Sequence, residues 1–258
     1  MKRIVFILFL TLFISSCFRV PITNRKQFNL LNEKDLINMS EVQYAAMMDS
    51  LDVLPDTDPR AKRVLQVGEN IQDAVEKFMQ DNGLEKRIEG FAWEYKTAES
   101  DMLNAWCMPG GKVCFYTGIL ELTDSDDEIA VIMGHEIAHA IARHGNERMS
   151  QQLALAGIAG LTSSSDSTQT QSIYQRVFMG SATLGMLKFS RMHESESDKL
   201  GLVFMKMAGY DPSKAIDFWE KMAAQGGFVP EILSTHPSDE KRIEDITAFL
   251  EEIDNYID

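Results

Sequence analysis

Residues 125–148 read SDDEIAVIMGHEIAHAIARHGNER, and the fold turns on how this stretch is read. Ser125 and Glu128 have the spacing of a capping box, and Asp124, Asp126 and Asp127 add negative charge where a helix N-terminus favours it. A helix is therefore expected from Ile129 through Arg148. Ile129, Val131, Ile132, Ile137, Ala138 and Ile141 make it apolar, yet it carries His135-Glu136-Ile137-Ala138-His139 in its middle. Positions i and i+4 share one helix face with Cβ atoms about 5–6 Å apart, so His135 and His139 can grip one metal ion. Glu136 lies about 100° round from His135, close enough to serve a water beside that ion. Left without a metal or a partner, a His-Glu-His group in an apolar stripe costs stability. The bland alternative is a set of satisfied core histidines with a salt-bridged glutamate.

Neutral imidazole is a good donor to zinc, and zinc held with one open position lowers the pKa of its water to about 7. Glu136 is then the general base, taking a proton and returning it to the leaving amine. Zinc wants a third protein ligand. Zinc peptidases that take it from a histidine six residues past the motif are excluded, because that position is Gly145, with His144 one residue short and Ala142 where glycine is required. The alternative is a carboxylate from a second helix. Arg191 to Asp198 offers one, with Glu194 and Asp198 at i and i+4. One would bind the metal while the other accepts a hydrogen bond from a ligand histidine. Spacing alone does not choose among Glu194, Glu196 and His193, and a solvated acidic turn is the ordinary reading of such a run.

Working outward, Ser40 to Leu54 has helical apolar spacing. Arg60 to Gln80 is a stronger helix, with Val64, Leu65, Ile71, Val75 and Phe78 on one side and Asn82-Gly83 ending it. Phe91 to Tyr95, Leu103 to Cys107 and Lys112 to Thr117 read as strands, the last two joined at Pro109-Gly110-Gly111. If Gly110-Gly111 is a two-residue turn, Cys107 faces Cys114 at about 5.5 Å between Cα atoms, within disulfide range. The alternative is two small buried apolar residues. Downstream, Thr162 to Ser172 reads as a loop, and Tyr174 to Gly209 as one or two helices. Another helix restarts at Asp211-Pro212, and a last one runs from about Ser238 to Ile253. The class is α+β: a small three- or four-stranded sheet followed by helices.

The chain has 258 residues, 45% hydrophobic and 25% charged, which suits a folded protein. Its net charge of −14 excludes a nucleic-acid partner, which needs a basic footprint, and disfavours electrostatic binding to anionic lipid. Lys2 and Arg3, the apolar run Ile4–Phe13, then Ile14-Ser15-Ser16-Cys17 form an export signal too short to span a bilayer. The aliphatic-small-small-Cys pattern resembles the bacterial lipoprotein cleavage box, in which the cysteine takes the lipid. The expected organisation is a signal peptide over 1–16, a lipidated tether with little structure over 17–38, and a single metallopeptidase domain over 39–258. Phe18, where a retention signal would favour aspartate, points to the outer membrane, facing the periplasm.

His-Glu-Ile-Ala-His, Asn104-Ala105-Trp106 before Pro109-Gly110-Gly111, Ser190-Arg191 before Glu194-Ser195-Glu196-Ser197-Asp198, Gly209-Tyr210-Asp211-Pro212, and Thr235-His236-Pro237 with Arg242 occur in one order. In that order they resemble the HtpX, BepA and LoiP group of zinc metallopeptidases, which includes the mitochondrial Oma-type and CAAX prenyl peptidases. The likeness spans roughly residues 60 to 250 and is nearest in form to the soluble, lipid-anchored members. It implies a mostly helical zincin domain with one Zn2+ and protein or peptide substrates. It makes Glu194 the third zinc ligand and Asp198 the residue that orients a ligand histidine. The strand at Asn104-Ala105-Trp106 becomes the edge that takes up substrate as an added strand. It gives His236 a place near the zinc, as a blocking ligand or a transition-state stabiliser, and Arg242 an oxyanion or structural role. His144 and His193 read as structural. The activity expected is cleavage of misfolded or unassembled envelope proteins; a latent, chaperone-like assembly factor and a metal-free structural module are the alternatives.

Overall fold

The computed structural model describes residues 17–155, 189–224 and 241–257. The expected signal peptide, the Thr162–Ser172 loop and Thr235-His236-Pro237 lie outside the described residues. In chain order the elements are strands β1 (Cys17–Arg19) and β2 (Lys26–Phe28), helices α1 (Glu33–Ser50) and α2 (Pro59–Asp81), then strands β3 (Glu94–Ala98), β4 (Ala105–Met108) and β5 (Lys112–Tyr116). Helices α3 (Thr117–Leu120), α4 (Asp126–Ile141), α5 (His144–Leu155), α6 (Arg191–Met207), α7 (Lys214–Ala224) and α8 (Lys241–Leu250) follow. The α+β class is as read, with a three-stranded sheet and a separate two-stranded hairpin.

Helix α4 is the centre of the molecule. Ser125 caps it, accepting from Glu128 N at 3.3 Å, while the Glu128 carboxylate accepts from Asp124 N at 2.7 Å. Every residue from Glu128 to Ile141 is buried, as befits a helix apolar on all sides. The helix does not continue to Arg148. It stops at Ile141, Arg143 takes a left-handed φ of 58°, and α5 starts afresh at His144. Beside α4 lies α6, and the two helices touch through Gly134 and Gly201. A Cβ on Gly134 would sit 2.8 Å from Gly201 O, and one on Gly201 would sit 2.7 Å from Gly134 C. Nothing larger fits at this crossing. On α6, residues 194, 198 and 201 share the face turned to α4.

The sheet has the order β3-β5-β4, with β3 parallel and β4 antiparallel to β5. Pro109, Gly110 and Gly111 make a three-residue loop in which both glycines are left-handed, φ 91° and 82°. The extra residue shifts the expected register by one: Met108 faces Lys112, Cys107 faces Val113 and Trp106 faces Cys114. Side chains alternate across a sheet, so Cys107 and Cys114 lie on opposite faces and both are free thiols. The disulfide is thereby corrected. Cys107, Val113 and Phe115 pack with α2, α4 and α6 in the main core; Trp106, Met108 and Cys114 pack with α1 and α5 in a second one.

Residues 17–38, expected as a tether, are folded. Val20, Gln27 and Leu31 are at most 5% exposed, and α1 begins at Glu33, capped by Asn32, seven residues before the expected start. The hairpin is stitched to the end of α4: Gln27 Nε2 donates to Ala142 O at 2.6 Å, and Arg87 donates to both Ile141 O and Arg19 O. These contacts occupy the carbonyls that a helix C-terminus leaves open. Among the described residues no helix is long and apolar enough to cross a membrane.

Candidate active site

The α4–α6 crossing brings His135, His139 and Glu194 together in the buried interior. His135 Nε2 lies 3.1 Å from His139 Nε2 and 3.3 Å from Glu194 Oε2, while His139 Nε2 lies 3.5 Å from Glu194 Oε1. Tetrahedral zinc with bonds of about 2.0–2.1 Å needs donors about 3.3–3.4 Å apart. The spacing and the two-nitrogen, one-oxygen donor set both fit such an ion. Glu136, next along α4, is 2% exposed.

Behind His135, its Nδ1 faces Asp198 Oδ1 at 2.9 Å. Arg242 of α8 grips Asp198 with Nε at 2.8 Å from Oδ2 and Nη2 at 2.7 Å from Oδ1. The guanidinium lies flat on Trp219, 3.3 Å from the ring centroid. Burial works to raise the Asp198 pKa, but Arg242 and His135 outweigh it and hold the group below the usual carboxylate range. Burial likewise disfavours a charged His135, but Asp198 and Glu194 prevail and raise its pKa to about 9. Arg242 Nη1 also lies 3.6 Å from Glu194 Oε2, so the guanidinium stands against both carboxylates of α6.

Behind His139, its Nδ1 faces His144 Nδ1 at 2.9 Å, and His144 Nε2 faces Glu196 Oε2 at 3.2 Å. Burial depresses the His144 pKa to about 4, keeping the ring neutral. Glu196 pairs with Arg25 of the N-terminal hairpin at 2.8 Å and accepts from Thr23 at 2.7 Å. Burial opposes the charge on Glu196, but hydrogen bonds from His144, Arg25 and Thr23 prevail and lower its pKa to about 2. Glu196 thus points away from the donor cluster, and so does His193, whose Nε2 faces Glu147 at 3.3 Å. Of the three third-ligand candidates, Glu194 is the one that joins His135 and His139 in a group that could hold a metal ion. In the sequence Glu196 is only a possible metal ligand, His144 reads as structural and Arg25 is not singled out, because the break at Arg143 that turns His144 back has no marker of its own.

Asn104, Ala105 and Trp106 are buried at the edge of the sheet. Tyr116 N donates to Asn104 O, and Gly111 N donates to Met108 O, so these even-numbered residues turn their backbone toward β5. With a period of two, Ala105 and Cys107 turn theirs away from β5. The Cys107 thiol is pushed up in pKa by burial and by nearby Glu136. His236 lies outside the described residues.

An active-site helix with two histidines, a glutamate from a second helix, and a small sheet edge beside them define a metallopeptidase domain of the zincin type. The chain belongs to peptidase family M48, whose model matches residues 66–250. It is 32% identical over 238 residues to the mitochondrial metalloendopeptidase OMA1 of Schizosaccharomyces pombe, covering 90% of this chain and 66% of that protein. It is 36% identical over 178 residues to the protein of the same name in Arabidopsis thaliana, covering 67% of this chain and 34% of that one. To the beta-barrel assembly-enhancing protease of Escherichia coli it is 28% identical over 231 residues, covering 78% of this chain and 47% of that one. The chain thus spans between about a third and two thirds of the length of these relatives.

Proposed function

We propose that this chain is a zinc metalloendopeptidase that cuts misfolded or unassembled proteins of a bacterial cell envelope, anchored at the outer membrane by a lipid on Cys17. The observation that carries the chemistry is the buried His135–His139–Glu194 cluster, with donor atoms 3.1 to 3.5 Å apart. A bound zinc ion would acidify a water and polarise the scissile carbonyl. Glu136 takes the proton from the attacking water and delivers it to the leaving amine nitrogen. Asp198, locked by Arg242, fixes the tautomer in which His135 presents Nε2 to the metal. The outward backbone groups of Ala105 and Cys107 bind the substrate as an added strand, which suits an enzyme reading extended, unfolded chains. The resemblance alone assigns His236 a place at the zinc, and the leader pattern alone supports the anchor and the compartment.

The test is cleavage of casein by wild type beside Glu136→Gln, with zinc content measured on both. Wild type should cut and the variant should not, while both hold zinc; cleavage by the variant would remove Glu136 from its role. For the anchor, Cys17→Ser should release the protein from the membrane fraction, and continued membrane association would contradict it.

A further inference from the structure

The two histidines of the donor cluster are not supported alike. His135 Nδ1 faces a carboxylate that can only accept, whereas His139 Nδ1 faces a second imidazole, which is 0% exposed. For His139 to offer Nε2 to a metal, its proton must sit on Nδ1, and His144 Nδ1 must accept it. A neutral His144 that accepts at Nδ1 carries its own proton on Nε2, and that nitrogen points at Glu196 Oε2, 3.2 Å away. Glu196 stays a carboxylate because Arg25 donates to it from Nε at 2.9 Å and Nη2 at 2.8 Å, and Thr23 Oγ1 donates at 2.7 Å. Among the described residues, Ser197 Oγ, 3.3 Å from His144 Nδ1, is the other polar contact of that nitrogen.

The order of protons is therefore fixed from one end. A carboxylate at Glu196 can only accept, so His144 must donate from Nε2 and accept at Nδ1, and His139 must donate from Nδ1. Were the chain reversed, His139 would carry its proton on Nε2 and could not bind a metal. On an unbroken helix, a residue five positions on would lie about 140° round from His139. The left-handed turn at Arg143 is what brings His144 back.

We infer that His144 is a positioning residue for His139, and that its own tautomer is set by the Glu196–Arg25 pair contributed across the fold by the N-terminal hairpin. This rests on the metal reading above. The hairpin that begins at Cys17 thereby becomes part of the machinery of the metal centre.

The experiment measures zinc affinity of the full chain by chelator competition, with the visible spectrum of the cobalt-loaded form as a second readout. His144→Phe keeps an aromatic ring in the stack but removes the acceptor; His144→Asn restores an acceptor near the Nδ1 position. His144→Phe should bind zinc about ten- to a hundredfold more weakly and shift the cobalt bands, with the metal-free protein still folded by circular dichroism. His144→Asn should recover most of that loss. Arg25→Gln, at the far end of the relay, should weaken zinc in the same direction, and the double variant with His144→Phe should be no worse than His144→Phe alone. Equal losses for Phe and Asn, or an affinity that His144→Phe leaves unchanged, overturn the inference. Should His144→Phe not fold, an Arg25→Gln affinity equal to wild type does so. Wild type that takes up no zinc overturns the metal reading itself, which separates the two failures.

Discussion

Two imidazole nitrogens 3.1 Å apart, with a carboxylate oxygen 3.3 Å from the first, form a group that folding would not bury without a purpose. Each histidine is turned from behind, His135 through Asp198 to Arg242 and His139 through His144 and Glu196 to Arg25. At this scale the first arm is the easier to test. Asp198→Asn takes from buried Arg242 its close charge partner and leaves it only the longer contact to Glu194 Oε2 at 3.6 Å, so the loss should approach the about 3–5 kcal/mol of a broken buried pair. Denaturant unfolding should show that loss, and chelator competition a zinc affinity about ten- to a hundredfold weaker. Wild-type values in both would remove Asp198 from the site. His135, Glu136 and His139 were legible in the sequence because four positions on one helix fix their geometry. Glu194 and Asp198 were legible as a pair, and resemblance named which binds. The second arm was not legible: Arg25 and Glu196 are 171 positions apart, and only the fold makes them neighbours.

The crossing of α4 and α6 decides whether those residues meet. Gly201→Ala would place a methyl 2.7 Å from Gly134 C, so the helices must separate. Overpacking of this kind costs about 1–3 kcal/mol, and Glu194 would be carried off the histidines. Reduced zinc content alongside a lowered urea midpoint is expected; full zinc occupancy would show that the close approach is dispensable. The sheet edge gives a second test. Because Ala105 N–H points away from β5, Ala105→Pro removes no ladder bond. The variant should stay folded and hold zinc but cut casein poorly, chiefly through a raised KM; unaltered kinetics would take substrate off this edge. The helices were read from periodicity and caps, and Ser125, Asn82 and Gly83 mark their ends as expected. The strand register was missed because Pro109-Gly110-Gly111 closes a three-residue loop, and one residue of slip moves a cysteine to the other face.

Across the whole molecule, the N-terminal hairpin ties α5 and α6 together through Arg25, which bridges Glu147 and Glu196. Its polar composition hid this from the sequence, since Gln27 and Arg25 are polar residues that find their partners more than a hundred positions away. The tie carries a pH signature. His144 falls from an ordinary 6.5 to about 4 on folding, so between those values the unfolded chain binds the proton and the folded one does not. Stability is therefore lost as pH drops from 6.5 to about 4. Glu196 falls from 4.5 to about 2, so its contribution is present above 4.5 and lost as pH drops toward 2. The urea midpoint of metal-free protein should decline through both windows, and His144→Asn should flatten the upper one; an upper window unchanged by that substitution would contradict the assignment. The most direct measurement is metal content of the purified full chain beside His139→Ala. The account predicts one zinc ion per wild-type chain and a large loss in the variant; folded wild type with no stoichiometric divalent ion, or a variant that keeps its zinc, would contradict it.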